Sequence, residues 1–304
     1  MLATPKSLIN SGVLISFSEA NFKSAISIVS NLFFPIGTNM SERFLFMPSL
    51  GFAIGVSYLI WNLFLRYKQI FYGLMSIVFL GFSSKTIARN MVWKDDFTIF
   101  TTDVKVSKNS AKVHASVAGS TMDKALAMKA DPETKKKMYT NALVHADRAL
   151  EIYPLYENAF LLKGNALFYL EQFDEAIKTY DELLKISPEF KDAFDNKAIA
   201  LRDKGEYYGE KLGNVLGAYS SLKQSYNMNP NDAITARLLG VAEGMQGNHQ
   251  EAIKYFTRSI NLEPNNANGF LNLGRAYQFT GQLDSATYYL QKAKVLDPNI
   301  NIGN

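Results

Sequence analysis

Glu157–Phe190 reads ENAFLLKGNALFYLEQFDEAIKTYDELLKISPEF, and the reading of this stretch decides the fold. It describes two antiparallel helices: Gly164 in the first and Ala176 in the second let the pair approach closely. Pro188 closes the second helix, because proline lacks the N–H that another turn would need. Outward from it, the pattern returns in Ala267–Ile300, ANGFLNLGRAYQFTGQLDSATYYLQKAKVLDPNI. In register, Gly164 meets Gly274, Ala176 meets Ala286 and Pro188 meets Pro298. Ala233–Asn266 follows suit through Gly240, Ala252, Phe256 and Pro264. The repeat length is about 34 residues, the spacing of a helix-pair solenoid.

Two less regular copies complete the array. Lys191–Asp232 carries Ala198, then Ala218, Leu222 and Pro230, with extra residues around Gly205–Asn214 expected to lengthen its internal turn. Ala111–Pro154 opens the array through His114, Ala118, Ala142, Ala149 and Pro154, with a polar insertion around Asp131–Lys137 expected as a loop. The period and small residues are those of the tetratricopeptide repeat (TPR). The expected fold is all-α: a short N-terminal transmembrane helical region followed by a TPR α-solenoid of about five helix pairs, since one pair cannot bury its apolar face alone. Expected repeats span about 111–156, 157–190, 191–232, 233–266 and 267–300, after a membrane region 1–92 and a junction 93–110.

The membrane region is set apart by composition. Overall hydrophobicity is 47%, but the residues up to about Phe82 are dominated by Leu, Ile, Phe, Val, Gly and Ser. Met47–Leu65 runs nineteen residues without a charge, enough helix to cross a hydrocarbon core of about 30 Å. Ile70–Phe82 extends to about 84 as a second expected span, with Arg66 and Lys68 in the tight turn between the two; Ala25–Ile36 is a partial helix interrupted by Pro35. Arg66 and Lys68 favour a cytoplasmic turn, which puts the repeats on the exoplasmic side; Arg43, Lys85 and Arg89 argue the other way, partly offset by Glu42. An integral membrane protein is therefore expected, with the lipid bilayer as one partner.

Charge and motifs narrow the function. The net charge is only +4, and no basic run stands out, so nucleic acid is not an expected partner. With no Cys, disulfides, thiolate metal sites and cysteine nucleophiles are excluded. His114, His145 and His249 are scattered without metal-ligand spacing, and no phosphate loop, nucleophile elbow or zinc-protease motif occurs. No catalytic, metal or cofactor residue is assigned.

The expected partner is a protein or peptide on the concave face. First-helix residues there include Asn165, Phe168, Tyr169, Asn196, Arg237, Asn272, Arg275 and Phe279. Asn amides both donate to and accept from a peptide backbone, and Arg237 and Arg275 suit acidic groups. The carboxylate clamp of some TPR proteins is not expected, because Leu161, Ile234 and Leu238 stand where it needs basic residues. Tyr288, Leu290 and Val295 are expected to leave apolar surface on the last helix.

The joint between the two portions carries a family resemblance. Phe34–Leu50 (FPIGTNMSERFLFMPSL), Arg89-Asn90, Trp93-Lys94-Asp95-Asp96 and Asn109–His114 precede the repeats in order, and Glu42–Gly51 is the most specific piece. This resembles the membrane-to-repeat junction of the transmembrane and TPR protein O-mannosyltransferases, of lipid-sugar-dependent glycosyltransferase type. The resemblance implies the C-terminal half of such an enzyme, without its catalytic multi-span part. It would be the acceptor-binding part, receiving a polyprenyl-phosphate sugar donor through a partner chain, with Arg43 as a lipid-phosphate contact. Asp95 and Asp96 match the junction rather than the catalytic loop, and a helix N-cap is their expected role.

Overall fold

Helix ends explain the architecture most directly. The structure, a computed structural model, describes residues 68–303 together with Gly55, Tyr58 and Ile60. The chain divides into two units, Met1–Met91 and Val92–Asn304. In the first, α1 covers Lys68–Asn90. Its stretch Gln69–Asn90 has a mean hydropathy of 1.5, long and apolar enough to cross a membrane. Apart from Gly55, Tyr58 and Ile60, the expected spans 47–65 and 25–36, with Arg43, lie outside the described residues.

The second unit contains only helices among its described residues. A lead-in helix, α2 (Asp96–Val106), starts where the Asp95 side chain accepts from the Thr98 backbone N–H at 2.7 Å, so Asp95 is an N-cap. Five antiparallel pairs follow: α3 (Ala111–Ala127) with α4 (Pro132–Ile152), α5 (Glu157–Tyr169) with α6 (Phe173–Ile186), α7 (Lys191–Glu210) with α8 (Val215–Met228), α9 (Ala233–Met245) with α10 (His249–Leu262), and α11 (Ala267–Phe279) with α12 (Leu283–Leu296). Every second helix stops two residues before a proline, at Pro154, Pro188, Pro230, Pro264 and Pro298.

Small residues set the contact inside each pair. A Cβ on Gly240 would sit 2.5 Å from the Phe256 ring, and one on Gly274 would sit 2.7 Å from Leu290 Cγ. The buried residues form clusters between successive helices, such as Leu167, Ala176, Tyr180, Leu183, Ala193 and Ala200 between the second and third pairs. First helices of neighbouring pairs touch one another, whereas second helices contact mainly their own pair and the next first helix. The stack therefore closes on the first-helix side, which is the concave face.

Two expected loops are helix instead. The insertion at Asp131–Lys137 extends α4: Asp131 caps it by accepting from Thr134 N–H at 2.9 Å, and Pro132 fits the first turn, where an N–H is not needed. Likewise the residues after Gly205 extend α7 to Glu210, leaving a turn only at 211–214. Both insertions continue the helical hydrogen bonding, so added turns satisfy the backbone that a loop would have left to water. At the other end of the array Leu290 is buried, against expectation, because it fills the space that Gly274 leaves. Tyr288 and Val295 are exposed. Ile300 is also buried, and Ile302 packs against the same cluster, so residues after α12 fold back on the last pair.

Candidate peptide-binding groove

The concave positions divide into committed and uncommitted side chains. Asn165 Oδ1 accepts from Tyr180 OH and from Asn196 Nδ2, each at 2.8 Å. Both lone pairs of that oxygen are thus used, and the second pair is tied to the third. Tyr180 is buried, and its phenol pKa is raised by that burial and then by Tyr169. Phe168 is half-buried, with its ring edge-on to Phe173 at 5.9 Å. Tyr169 is partly exposed and stacks on Tyr139 at 4.9 Å.

Farther along, Arg202 pairs with Asp203 at 2.8 Å and with Asp232 at 3.3 Å, bridging the third pair to the fourth. Burial opposes the Arg202 charge, but bonding to Asp203 and the charges of Asp203 and Asp232 more than offset it, and its pKa is raised. Arg275 is exposed and donates to the Asn301 carbonyl at 3.2 Å.

Arg237 and Asn272 differ. Both are half-buried, and neither has a side-chain hydrogen bond or ion pair among the described residues. About two turns further along the same helices, Met245 and Phe279 are 63% and 72% exposed. Phe279 is stacked on His249, with ring centroids 4.6 Å apart. The structure therefore joins Asn165 to Asn196 but leaves Asn272 apart from them.

The histidines correct the sequence reading. His114 and His145 meet inside the first pair, with their Nδ1 atoms 2.9 Å apart. His114 Nε2 lies 3.0 Å from the Lys108 carbonyl, which only accepts, so Nε2 carries the proton and His145 Nδ1–H donates to His114 Nδ1. Burial, followed by the charge of His114, lowers the His145 pKa. The spacing had a readable signal. If Ala118 touches Ala142 in an antiparallel pair, a residue four before the first faces one close to four after the second. No group of three or more His, Cys, Asp or Glu poised for a metal occurs among the described residues.

Repeated stacked helix pairs with a first-helix inner wall define a TPR solenoid, and models of the tetratricopeptide repeat match residues 158–190, 238–266 and 255–288. The chain is also similar to protein O-mannosyl-transferases, as the junction motifs implied. It is 30% identical to human Protein O-mannosyl-transferase TMTC3 over 162 residues, covering 53% of this chain and 16% of that protein. With Drosophila melanogaster Tmtc3 it shares 27% identity, covering 53% of this chain and 17% of the relative. The chain thus spans less than a fifth of the length of these relatives. Among solved structures, the crystal structure of YrrB, a TPR protein with an unusual peptide-binding site, matches at 22% identity and a TM-score of 0.46. That match covers 67% of this chain and 94% of YrrB.

Proposed function

We propose that this chain is a membrane-anchored TPR module that holds an extended polypeptide against its concave face. The observation carrying this reading is Arg237 and Asn272, two polar side chains without a partner among the described residues, on helices that also expose Met245 and Phe279 about two turns further along. A guanidinium recognises acidic groups, an amide both donates and accepts, and the apolar side chains add desolvated contact. The apolar α1 supports anchoring; Arg66 and Lys68 before its apolar stretch support an exoplasmic array by the positive-inside bias, against the opposing charges of Lys85 and Arg89 towards its other end.

The test uses the full chain in lipid nanodiscs and a random-peptide display library. Enriched peptides should bind wild type and lose affinity for Arg237→Ala/Asn272→Ala, with helicity unchanged by circular dichroism. Equal affinity for the variant would sink the groove assignment. Sidedness is tested separately in a chain that naturally lacks Cys: Gln291→Cys should react with a membrane-impermeant maleimide only from the exoplasmic side.

Similarity to the mannosyl-transferases favours one further reading, in which this array is the acceptor-binding part of a membrane protein O-glycosyltransferase. A partner chain would then supply the catalytic half and the polyprenyl-phosphate sugar donor, with Arg43 near the lipid phosphate. Reconstitution with a multi-span partner and a lipid-linked mannose donor should transfer sugar to a groove-binding peptide. Transfer that is indifferent to Arg237→Ala/Asn272→Ala would separate the acceptor site from this groove.

A further inference from the structure

Arg202 and Arg237 occupy the same place in successive pairs. Gly205 faces Leu222 in the third pair as Gly240 faces Phe256 in the fourth. Seven residues before each glycine, a carbonyl accepts from a serine of the second helix. Ser225 Oγ donates to Ala198 O at 2.7 Å, and Ser259 Oγ donates to Ala233 O at 2.9 Å. These two points fix the register, and Arg202 and Arg237 each stand three residues before their glycine.

That place faces the start of the next pair. In the second and fifth pairs it holds Leu161 and Leu271, half-buried and buried. An arginine put there needs a counter-charge, because a guanidinium drawn out of water loses hydration that only a partner returns. Arg202 has one. Asp232, the N-cap of α9, lies 3.3 Å from its Nη1 and also accepts from the Ile234 N–H and the Thr235 hydroxyl.

Arg237 has none. The N-cap of the following first helix, α11, is Asn266, an amide where the previous step of the stack has a carboxylate. Its oxygen accepts from Gly269 N–H at 3.2 Å, and its Nδ2 donates to Glu263 Oε2 at 3.0 Å. Neither Glu263 nor any other carboxylate pairs with Arg237 among the described residues. One step of the stack thus carries both halves of an ion pair, and the next carries the cation alone.

We infer that Arg237 is a carboxylate subsite of the concave groove: an acidic side chain of an extended peptide fills at Arg237 the place that Asp232 fills at Arg202. The inference rests on the groove reading and names the peptide class that the groove selects. A planar guanidinium takes a carboxylate through two parallel N–H bonds, which a neutral amide cannot match. The half-buried setting strengthens that bond relative to one in open water.

The test starts from a random-peptide library displayed without free C-termini and screened on the full chain in lipid nanodiscs. Enriched peptides should carry Asp or Glu. One of them is then made synthetically with an amidated end, beside a counterpart whose acidic residues are changed to their amides. By fluorescence anisotropy, wild type should prefer the acidic form by about tenfold, and Arg237→Gln should treat the two alike. The double variant Asn266→Asp/Glu263→Gln supplies the missing carboxylate from within and keeps the cap, since Asp caps a helix as well as Asn does. It should also lose the preference, while helicity by circular dichroism and affinity for the neutral peptide stay as in wild type. Preference that survives in either variant overturns the subsite. Acid-free binders that still need Arg237 and Asn272 would remove the subsite and leave the groove, whereas a library that yields no binder would remove both.

Discussion

The second and third repeats and the fourth and fifth repeats offer the same concave positions and use them in opposite ways. In the former, Asn165, Asn196 and Arg202 spend their hydrogen bonds on Tyr180, Asp203, Asp232 and one another. In the latter, Arg237 and Asn272 keep theirs open, while Met245 and Phe279 stand exposed further along the same helices. An Asn or Arg on the inner wall is thus not by itself a ligand contact. Repeat arrays are held by neighbour-to-neighbour interfaces, so a polar side chain that reaches the next repeat becomes a staple, and only one that reaches nothing is available to a partner.

Breaking the stapled half should have the largest effect. Tyr180→Ala removes a buried ring and leaves Asn165 short of a donor, and it should cost about 3–5 kcal/mol in urea denaturation. Next comes the open half. Arg237→Ala/Asn272→Ala should weaken groove peptides by about tenfold or more, near 1.4 kcal/mol, while the denaturation midpoint stays put. Asn196→Ala sharpens the contrast from the other side, with about 1 kcal/mol of stability lost and groove affinity unchanged. If Asn196→Ala abolished binding while stability held, the division into staples and contacts would be wrong.

The smallest effect is expected from pH, and it also falls on the N-terminal half. The His145 pKa is lowered in the folded chain, by burial first and then by the charge of His114. The unfolded chain, with His near 6.5, therefore takes up protons before the folded one. Stability is full above about pH 6.5 and declines as pH falls from there towards the lowered folded value. Melting curves at stepped pH should show this decline, and His145→Gln should flatten it. An unchanged slope in the variant would assign the pH dependence to other groups.

Much of the array is legible because its determinants are local. Gly164, Gly240 and Gly274, each facing a large residue of the second helix, and the prolines after every second helix can be read from spacing alone. The insertions were harder. Asp131–Lys137 and Gly205–Asn214 were expected as loops, yet a cap at Asp131 and packing of Gly205 against Leu222 make the first, and the second up to Glu210, helix. The groove was legible as a set of positions, and the roles within it were not.

From the sequence alone come the all-α class, the period, the helix pairing and the absence of a catalytic or metal motif, since each depends on residues within one repeat. Only the tertiary structure decides that His114 meets His145, that Asn165 holds Asn196, and that Tyr139 stacks on Tyr169. Those pairings depend on where the stacking of neighbouring helices places side chains about thirty residues apart, and a local pattern carries no record of which neighbour a side chain will reach.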